Sequence, residues 1–195
     1  VLRHVLCGCL CVGSLAAGTL PGWWLAFPGN PRLESSFTQE SESAVFGKLR
    51  RKGTLRLAQG GRLRVEYTKG MVLVADGRSL VQYDPEARTA QRVNLRSAAA
   101  DAPLLNILLN PRTLEATFKA SPGPGADAVT LEPRKAGLPS VVVEGHGLFL
   151  RRIRWTDATG AKQVIDLLDP RVPASLDPAL FTFKAPAGTR WLETR

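Results

Sequence analysis

Gly53-Thr54-Leu55-Arg56-Leu57-Ala58-Gln59-Gly60-Gly61-Arg62-Leu63-Arg64-Val65-Glu66-Tyr67 is the stretch whose reading decides the fold. Leu55 and Leu57 fall on one side of an extended chain, Thr54 and Arg56 on the other. Beyond Gly60-Gly61, Leu63, Val65 and Tyr67 alternate with Arg62, Arg64 and Glu66. Side chains of a strand alternate faces, so the pattern predicts half-buried antiparallel strands joined by a tight hairpin. It continues outward: Lys69-Gly70 and Asp76-Gly77 separate the apolar runs Met71–Ala75 and Leu80–Tyr83. Glycine turns between such runs read as further hairpins. The resulting sheet has one apolar face, and what that face holds is the functional question.

Further strands are expected from Phe37-Thr38-Gln39-Glu40 onward, at Arg88–Leu95, Thr113–Phe118, Ala128–Leu131, Ser140–Glu144, Leu148–Trp155, Lys162–Leu167 and, last, Leu180–Lys184. Between them, Pro103-Leu104-Leu105-Asn106-Ile107-Leu108-Leu109 is almost unbrokenly apolar and closed by Asn110-Pro111. Proline at its start and Asn-Pro at its end suit a short helix, apolar nearly all round and therefore covered on more than one side. A buried strand is the alternative, since period alone does not type a short apolar run.

With 195 residues, 44% of them apolar and 22% charged, the chain has the size and composition of one domain with a substantial core. Its first residues depart from that composition. Arg3 and His4 precede the apolar run Val5–Ala17, which ends in Ser14-Leu15-Ala16-Ala17. A basic start, a brief apolar run and small residues at its end read as a secretory signal over residues 1–17, with an uncleaved anchor as the alternative. All three cysteines, Cys7, Cys9 and Cys11, lie in that run without a histidine or carboxylate to complete a metal shell. Leu6-Cys7-Gly8-Cys9 looks like a lipoprotein-processing box, but almost no apolar run precedes it. Residues 18–34, with Pro21, Pro28 and Pro31 among Trp23, Trp24 and Phe27, read as a proline-rich linker ahead of a domain at 35–195.

The formal net charge of +9 is concentrated, since Lys48, Arg50, Arg51, Lys52, Arg56, Arg62 and Arg64 share a stretch without Asp or Glu. By parity Arg56, Arg62 and Arg64 point away from the leucines. A solvated outer face and a surface for anionic lipid or an acidic partner both fit this charge. Nucleic acid fits poorly, for want of an aromatic–basic stacking platform. Enzyme motifs are also missing: there is no Gly-x-Ser-x-Gly, His-Glu-x-x-His, phosphate loop or paired-cysteine site. His146, between two glycines, is the only histidine outside the expected signal, and no two of Asp157, Asp166 and Asp169 pair as acid and base. Neither a catalytic residue nor a metal or other cofactor is expected.

The order of pieces resembles one family. Ser36-Phe37-Thr38-Gln39, Gly53–Leu57, Gly61–Tyr67, the hairpin Val74-Ala75-Asp76-Gly77-Arg78-Ser79-Leu80-Val81-Gln82-Tyr83-Asp84-Pro85, the Pro103–Leu109 segment, Leu131-Glu132-Pro133-Arg134, Asp157–Gly160 and Leu180–Gly188 follow one another as they do in the LolA family. These are periplasmic carriers that escort lipoproteins toward the outer membrane. The resemblance spans about residues 35–192 and implies a mainly β fold with short helices: an incomplete, strongly curved antiparallel barrel, a half-barrel, whose open side carries a helical lid.

The apolar face then lines a cavity for acyl chains. Parity assigns it Leu55, Leu57, Leu63, Val65, Tyr67, Phe118, Leu131, Ile153, Trp155, Ile165 and Phe183, each of which plain core packing would also explain. Pro103–Leu109 occupies the lid position through Leu104, Leu105, Ile107 and Leu108. The family often carries an inward-facing arginine that latches the lid; here Gln59 takes that place and, by parity with Leu55 and Leu57, is expected to point inward. The family's amphipathic helix before Ser-Phe-x-Gln is replaced by the proline-rich stretch. The resemblance implies, as partners, acylated lipoproteins, an inner-membrane lipoprotein-releasing ABC transporter and an outer-membrane acceptor, for a monomer in the periplasm. A membrane-tethered acceptor and a carrier or sensor of another lipid are the alternatives on the same fold.

Overall fold

A computed structural model describes residues 19–29, 32–100, 103–109 and 114–192. The expected secretory signal lies outside the described residues. Twelve strands form one open sheet: β1 (Arg32–Ser43), β2 (Gly47–Ala58), β3 (Arg62–Tyr67), β4 (Val72–Asp76), β5 (Ser79–Asp84), β6 (Thr89–Asn94), β7 (Phe118–Pro122), β8 (Ala128–Pro133), β9 (Val141–His146), β10 (Phe149–Thr156), β11 (Lys162–Leu167) and β12 (Arg190–Leu192). Their order across the sheet is β12-β6-β5-β4-β3-β2-β1-β11-β10-β9-β8-β7. Every pairing is antiparallel except β12 on β6. Two meanders, β1–β6 and β7–β11, are thus zipped together where β11 meets β1.

This topology explains why helices cover the open side. The chain leaves β6 near one edge and must resume at β7, the other edge, so its connection crosses the gap between them. That connection carries α2 (Leu95–Ala100), α3 (Pro103–Leu109) and α4 (Leu114–Thr117). A further helical turn precedes the sheet as α1 (Gly22–Ala26), continued by a 3-10 turn at Phe27–Gly29. Helix α3 has the expected bounds. The strand expected at Thr113–Phe118 is instead the single turn α4 followed by β7. The final strand is not at Leu180–Lys184 either. Asp177 caps a 3-10 turn at Pro178–Phe181 by accepting the Ala179 N–H (2.8 Å), and strand pairing resumes only at β12. Proline at the first position of a capped turn favours helical over extended backbone.

Parity sorts the sheet into two faces. Leu33, Phe37, Leu55, Leu57, Leu63, Val65, Ala75 and Leu80 from the first meander, and Val129, Leu131, Val141, Val143, Ile153, Ile165 and Leu167 from the second, join one buried cluster on the concave side. A bulge between Leu150 and Arg152 in β10 turns both Leu150 and Ile153 into it and adds curvature. Phe37 packs close on Gly53, where a Cβ would sit 2.7 Å from its ring, and meets Tyr67 edge-on at 5.4 Å. The convex side is ionic. Arg56 bonds both Glu34 and Glu66 at 2.9 Å, Arg64 bonds Glu66 at 2.7 Å, and Arg171 closes on Glu34 at 2.8 Å. Across β9–β11, Arg152 pairs with Asp166 and Arg154 with Glu144.

A C-terminal strap crosses the convex face beside this network. Phe181 is buried, with the Arg62 guanidinium 5.6 Å from its ring centre, and Arg64 donates to the Leu180 carbonyl at 3.1 Å. Phe183 packs at 5.4 Å on Tyr83 and at 6.1 Å on Trp191. Val74, Val81 and Arg92 line a small pocket beneath Phe181 and Phe183.

Candidate functional site

The concave face is graded along its strands. At the end marked by the β2–β3 turn, Leu33, Leu57 and Leu63 stand in register on adjacent strands. Two residues further, Ser35, Leu55 and Val65 align, and then Phe37, Gly53 and Tyr67. One step beyond, the inward positions become Gln39 and Arg51, and across β11 and β10 they pass from Ile165 and Ile153 to Gln163 and Trp155. The face is therefore aliphatic at its floor and polar at its rim. The rim is tied by hydrogen bonds: the Tyr67 hydroxyl donates to Gln39 Oε1 at 2.8 Å, and Gln163 Nε2 donates to Ser41 Oγ at 2.8 Å and to Asp157 at 2.9 Å. Burial pushes the Tyr67 phenol above its ordinary range, partly offset by the nearby Arg51 cation.

Two covers close this face. From α3, Ile107, Leu108 and Leu109 are buried in the concave cluster and Leu105 is half-buried against it. From the N-terminal turn, Trp23, Trp24 and Phe27 enter the same cluster as a mutually packed aromatic trio, with ring centres 5.7 to 6.4 Å apart. Trp23 is anchored twice. Its indole N–H donates to the Asp127 carbonyl at 2.9 Å, and its ring lies so close on Gly145 that a Cβ there would fall 2.0 Å from it. Glycine at 145 is what allows an indole to lie on the backbone of β9.

Of the residues expected to line the cavity, Leu55, Leu57, Leu63, Val65, Phe118, Leu131, Ile153 and Ile165 come together in the concave cluster. Tyr67 and Trp155 are half-buried against it toward the rim. Phe183 does not join them: it belongs to the convex strap, because the chain beyond the 3-10 turn runs outside the sheet and not as a strand within it. Gln59 is a second correction. The alternation that aims Leu55 and Leu57 inward stops at Ala58, which pairs with Arg62, so Gln59 sits exposed in the β2–β3 turn. Its carbonyl accepts from Arg62 Nε at 3.0 Å, and the residue is exposed instead of buried in the concave cluster. The Leu104 position is on α3, but its side chain lies outside the described residues.

The residues that sequence reasoning missed are Trp23, Trp24 and Phe27. Three bulky aromatics in five positions were the available signal; the surrounding prolines made the segment look like a linker. Among the described residues there is no cluster of three or more potential metal-ligating side chains. His146 is exposed at the end of β9, and Asp157 holds its own turn by accepting from Thr159 and Ala161 backbone N–H groups. The Thr159 hydroxyl and Gln163 amide also bond that carboxyl, holding it below the usual carboxylate range.

The profile of the family described as "Outer membrane lipoprotein carrier protein LolA" matches residues 31–184. No curated protein matches the chain. Among solved structures, an uncharacterized conserved protein from Thermus thermophilus is similar at TM-score 0.53 and 11% identity, covering 87% of this chain and 96% of its own. LolA superfamily protein NE2245 from Nitrosomonas europaea aligns at TM-score 0.49 and 10% identity, over 83% and 96% of the two chains. The Pseudomonas aeruginosa MucA/MucB complex aligns at TM-score 0.43 and 12% identity, over 84% and 60%. At such identities the Thermus likeness speaks to the fold alone. The open twelve-stranded sheet, its helix-covered concave face and the profile match over residues 31–184 agree: the chain belongs to the LolA family.

Proposed function

We propose that this protein is a periplasmic carrier that holds the acyl chains of lipoproteins against its concave face and ferries them from the inner membrane toward the outer membrane. One observation carries the reading: a continuous apolar sheet face is covered by short helices and not by a second sheet. Helices of five and seven residues fall well below the length of about 12–15 at which isolated helices begin to persist. α1 and α3 therefore depend on their contact with the concave face, and an apolar ligand competes for that contact. Such a ligand has reason to compete, since each methylene in water costs about 0.8 kcal/mol and a sixteen-carbon chain on the order of 12 kcal/mol. Displacing the protein's own side chains returns only part of that energy, which keeps release possible.

In this reading Leu55, Leu57, Leu63, Val65, Phe118, Leu131, Ile153 and Ile165 contact acyl chains, with Tyr67 and Trp155 nearer the headgroup end. Leu105, Ile107 and Leu108 act with Trp23, Trp24 and Phe27 as the displaceable cover. The partners are acylated lipoproteins, an inner-membrane lipoprotein-releasing ABC transporter that loads a monomer, and an acceptor at the outer membrane. The test is titration with a fluorescent fatty-acyl probe, followed by mass spectrometry of what co-purifies from the envelope fraction. Saturable binding with a triacylated lipoprotein recovered supports the proposal. Recovery of a free lipid or glycolipid instead would make this a carrier of that lipid, and absence of probe binding would sink the reading.

A further inference from the structure

We propose that the tip of the β1–β2 hairpin is a contact site for anionic membrane surfaces, inserting Val45 and Phe46 between lipid headgroups while the surrounding cations hold them. Val45 is 82% and Phe46 90% exposed, the two most exposed of the large apolar residues described, and Leu49 on the same hairpin is 51% exposed. A turn that presents phenylalanine and valine to water has no folding reason to do so, and the turn itself is well made: Ser43 Oγ accepts the Phe46 N–H at 2.9 Å. The apolar pair is thus displayed by a formed turn.

The hairpin also projects. β2 pairs with β1 over its whole length, but β3 reaches only Gly53, so residues 47–51 stand clear of the β3–β4 turn. At about 3.3 Å per residue this is roughly 17 Å of free hairpin on that flank. On the other flank β11 ends level with Glu42, leaving the turn itself outermost.

Charge complementarity names the occupant. Lys48, Arg50, Arg51 and Lys52 follow the apolar tip directly, against only Glu40 and Glu42 on the paired strand, and Glu40 already binds Lys48 (2.9 Å) and Arg50 (3.4 Å). Lys69 on the neighbouring β3–β4 turn and Lys162 opposite Glu42 add cations at the same end of the sheet. An apolar tip set in a cationic collar matches an interface where phosphate headgroups overlie acyl chains. A protein strand adding to the free edge of β2 is the other conceivable occupant. It would use residues 47–51 and leave Val45 and Phe46 without a role, so the membrane is favoured. The tip lies at the polar-rim end of the concave face, so docking would bring that rim to the bilayer. The inference itself stands without the carrier reading, because its test contains no cargo.

The full chain is sedimented with vesicles of phosphatidylethanolamine and phosphatidylglycerol at 3:1, and with phosphatidylcholine vesicles, at low and high salt. Preferential partitioning to the anionic vesicles that weakens with salt is expected. Joint replacement V45S/F46S should lower that partitioning at least about tenfold, from the apolar area withdrawn. K48Q/K52Q removes two cations and should lower it by about thirtyfold, at ~1 kcal/mol per cation near an anionic surface. Each variant retains residues 1–17, so a difference from the parent reads the tip, and circular dichroism checks the fold. Equal partitioning of V45S/F46S and parent, or no preference for anionic vesicles, would overturn the proposal. As a second reading, F46W should add tryptophan emission that brominated acyl chains quench; unquenched emission in the bound state would equally overturn it.

Discussion

The two faces of this one sheet are built from alternate residues of the same strands, yet they are closed in opposite ways. The concave face is aliphatic and is covered by helical turns from distant parts of the chain, α1 and α3. The convex face is knitted from within by Glu34, Arg56, Glu66 and Arg64, with a strap carrying Phe181 laid beside them. The difference teaches where permanence lies. Ladder hydrogen bonds and ion pairs hold the sheet whatever happens on the concave side, whereas the cover rests mostly on apolar contact that another apolar group can replace, with the Trp23 indole hydrogen bond as its polar anchor.

The sharpest way to break this comparison is Leu63→Glu. Leu63 is fully buried at the concave floor, and a carboxylate there has no partner, so the protein should lose at least about 3 kcal/mol and all acyl-probe binding. Trp155→Asp, at the half-buried rim, should remove most probe binding at a smaller cost in stability. Urea denaturation beside the probe titration reads both; full binding by the two variants would mean the concave face is not the acyl site.

Next in size, Trp23→Ala and Phe181→Ala remove buried aromatics from opposite faces, and each should cost about 3–5 kcal/mol. Only the first should speed probe uptake, because only Trp23 covers the concave side. Equal uptake rates in a stopped-flow experiment would erase the functional distinction between the faces. Gly145→Ala sharpens it from beneath: its methyl would collide with the Trp23 ring, costing about 1–3 kcal/mol and raising hydrogen exchange across α1. Unchanged exchange there would show that Trp23 is not seated on β9.

Acid should act on the convex face. Hydrogen bonds from Arg171 and Arg56 hold Glu34 below the usual carboxylate range, and those from Arg64 and Arg56 do the same for Glu66. With the folded pKa depressed, the unfolded chain binds more protons, so this stabilisation is complete above about pH 4.5 and is lost as pH falls through the folded values. Urea midpoints measured from pH 6 downward should fall in that window, and less steeply in E34Q/E66Q. An identical slope in that variant would remove the network from the account. The smallest effect belongs to Gln59→Arg: because the side chain is exposed in a turn, hydrogen exchange across Pro103–Leu109 should not change. Protection of those amides would restore Gln59 as a latch.

Legibility followed the length of the pattern. From Leu55 to Tyr67 the faces of the strand residues could be read directly, because a period of two leaves only two choices and glycines mark where it restarts. Gln59 shows the limit, since parity carried one residue past the end of a strand no longer assigns a face. Phe183 shows another. Its alternation is strand-like, but Asp177 and Pro178 had already turned the chain onto the outside of the sheet. Trp23, Trp24 and Phe27 could not be read as core because a five-residue helix and the 3-10 turn after it carry no period, and α1 packs on β9 and β10, more than a hundred residues away.

The sequence by itself therefore determined most of the antiparallel strands, which strand residues share the apolar face, the α3 segment and the family. The strands and α3 depend on neighbours within a few residues, where alternation and turn chemistry act, and the family on the order in which such local motifs follow one another. Only the tertiary structure decided what lies on each face: the aromatic turn against Gly145, the strap over the convex side, and the exposure of Val45 and Phe46 beyond the reach of β3. Burial is a property of what arrives from elsewhere in the chain, and alternation shows that a face is apolar without naming what covers it.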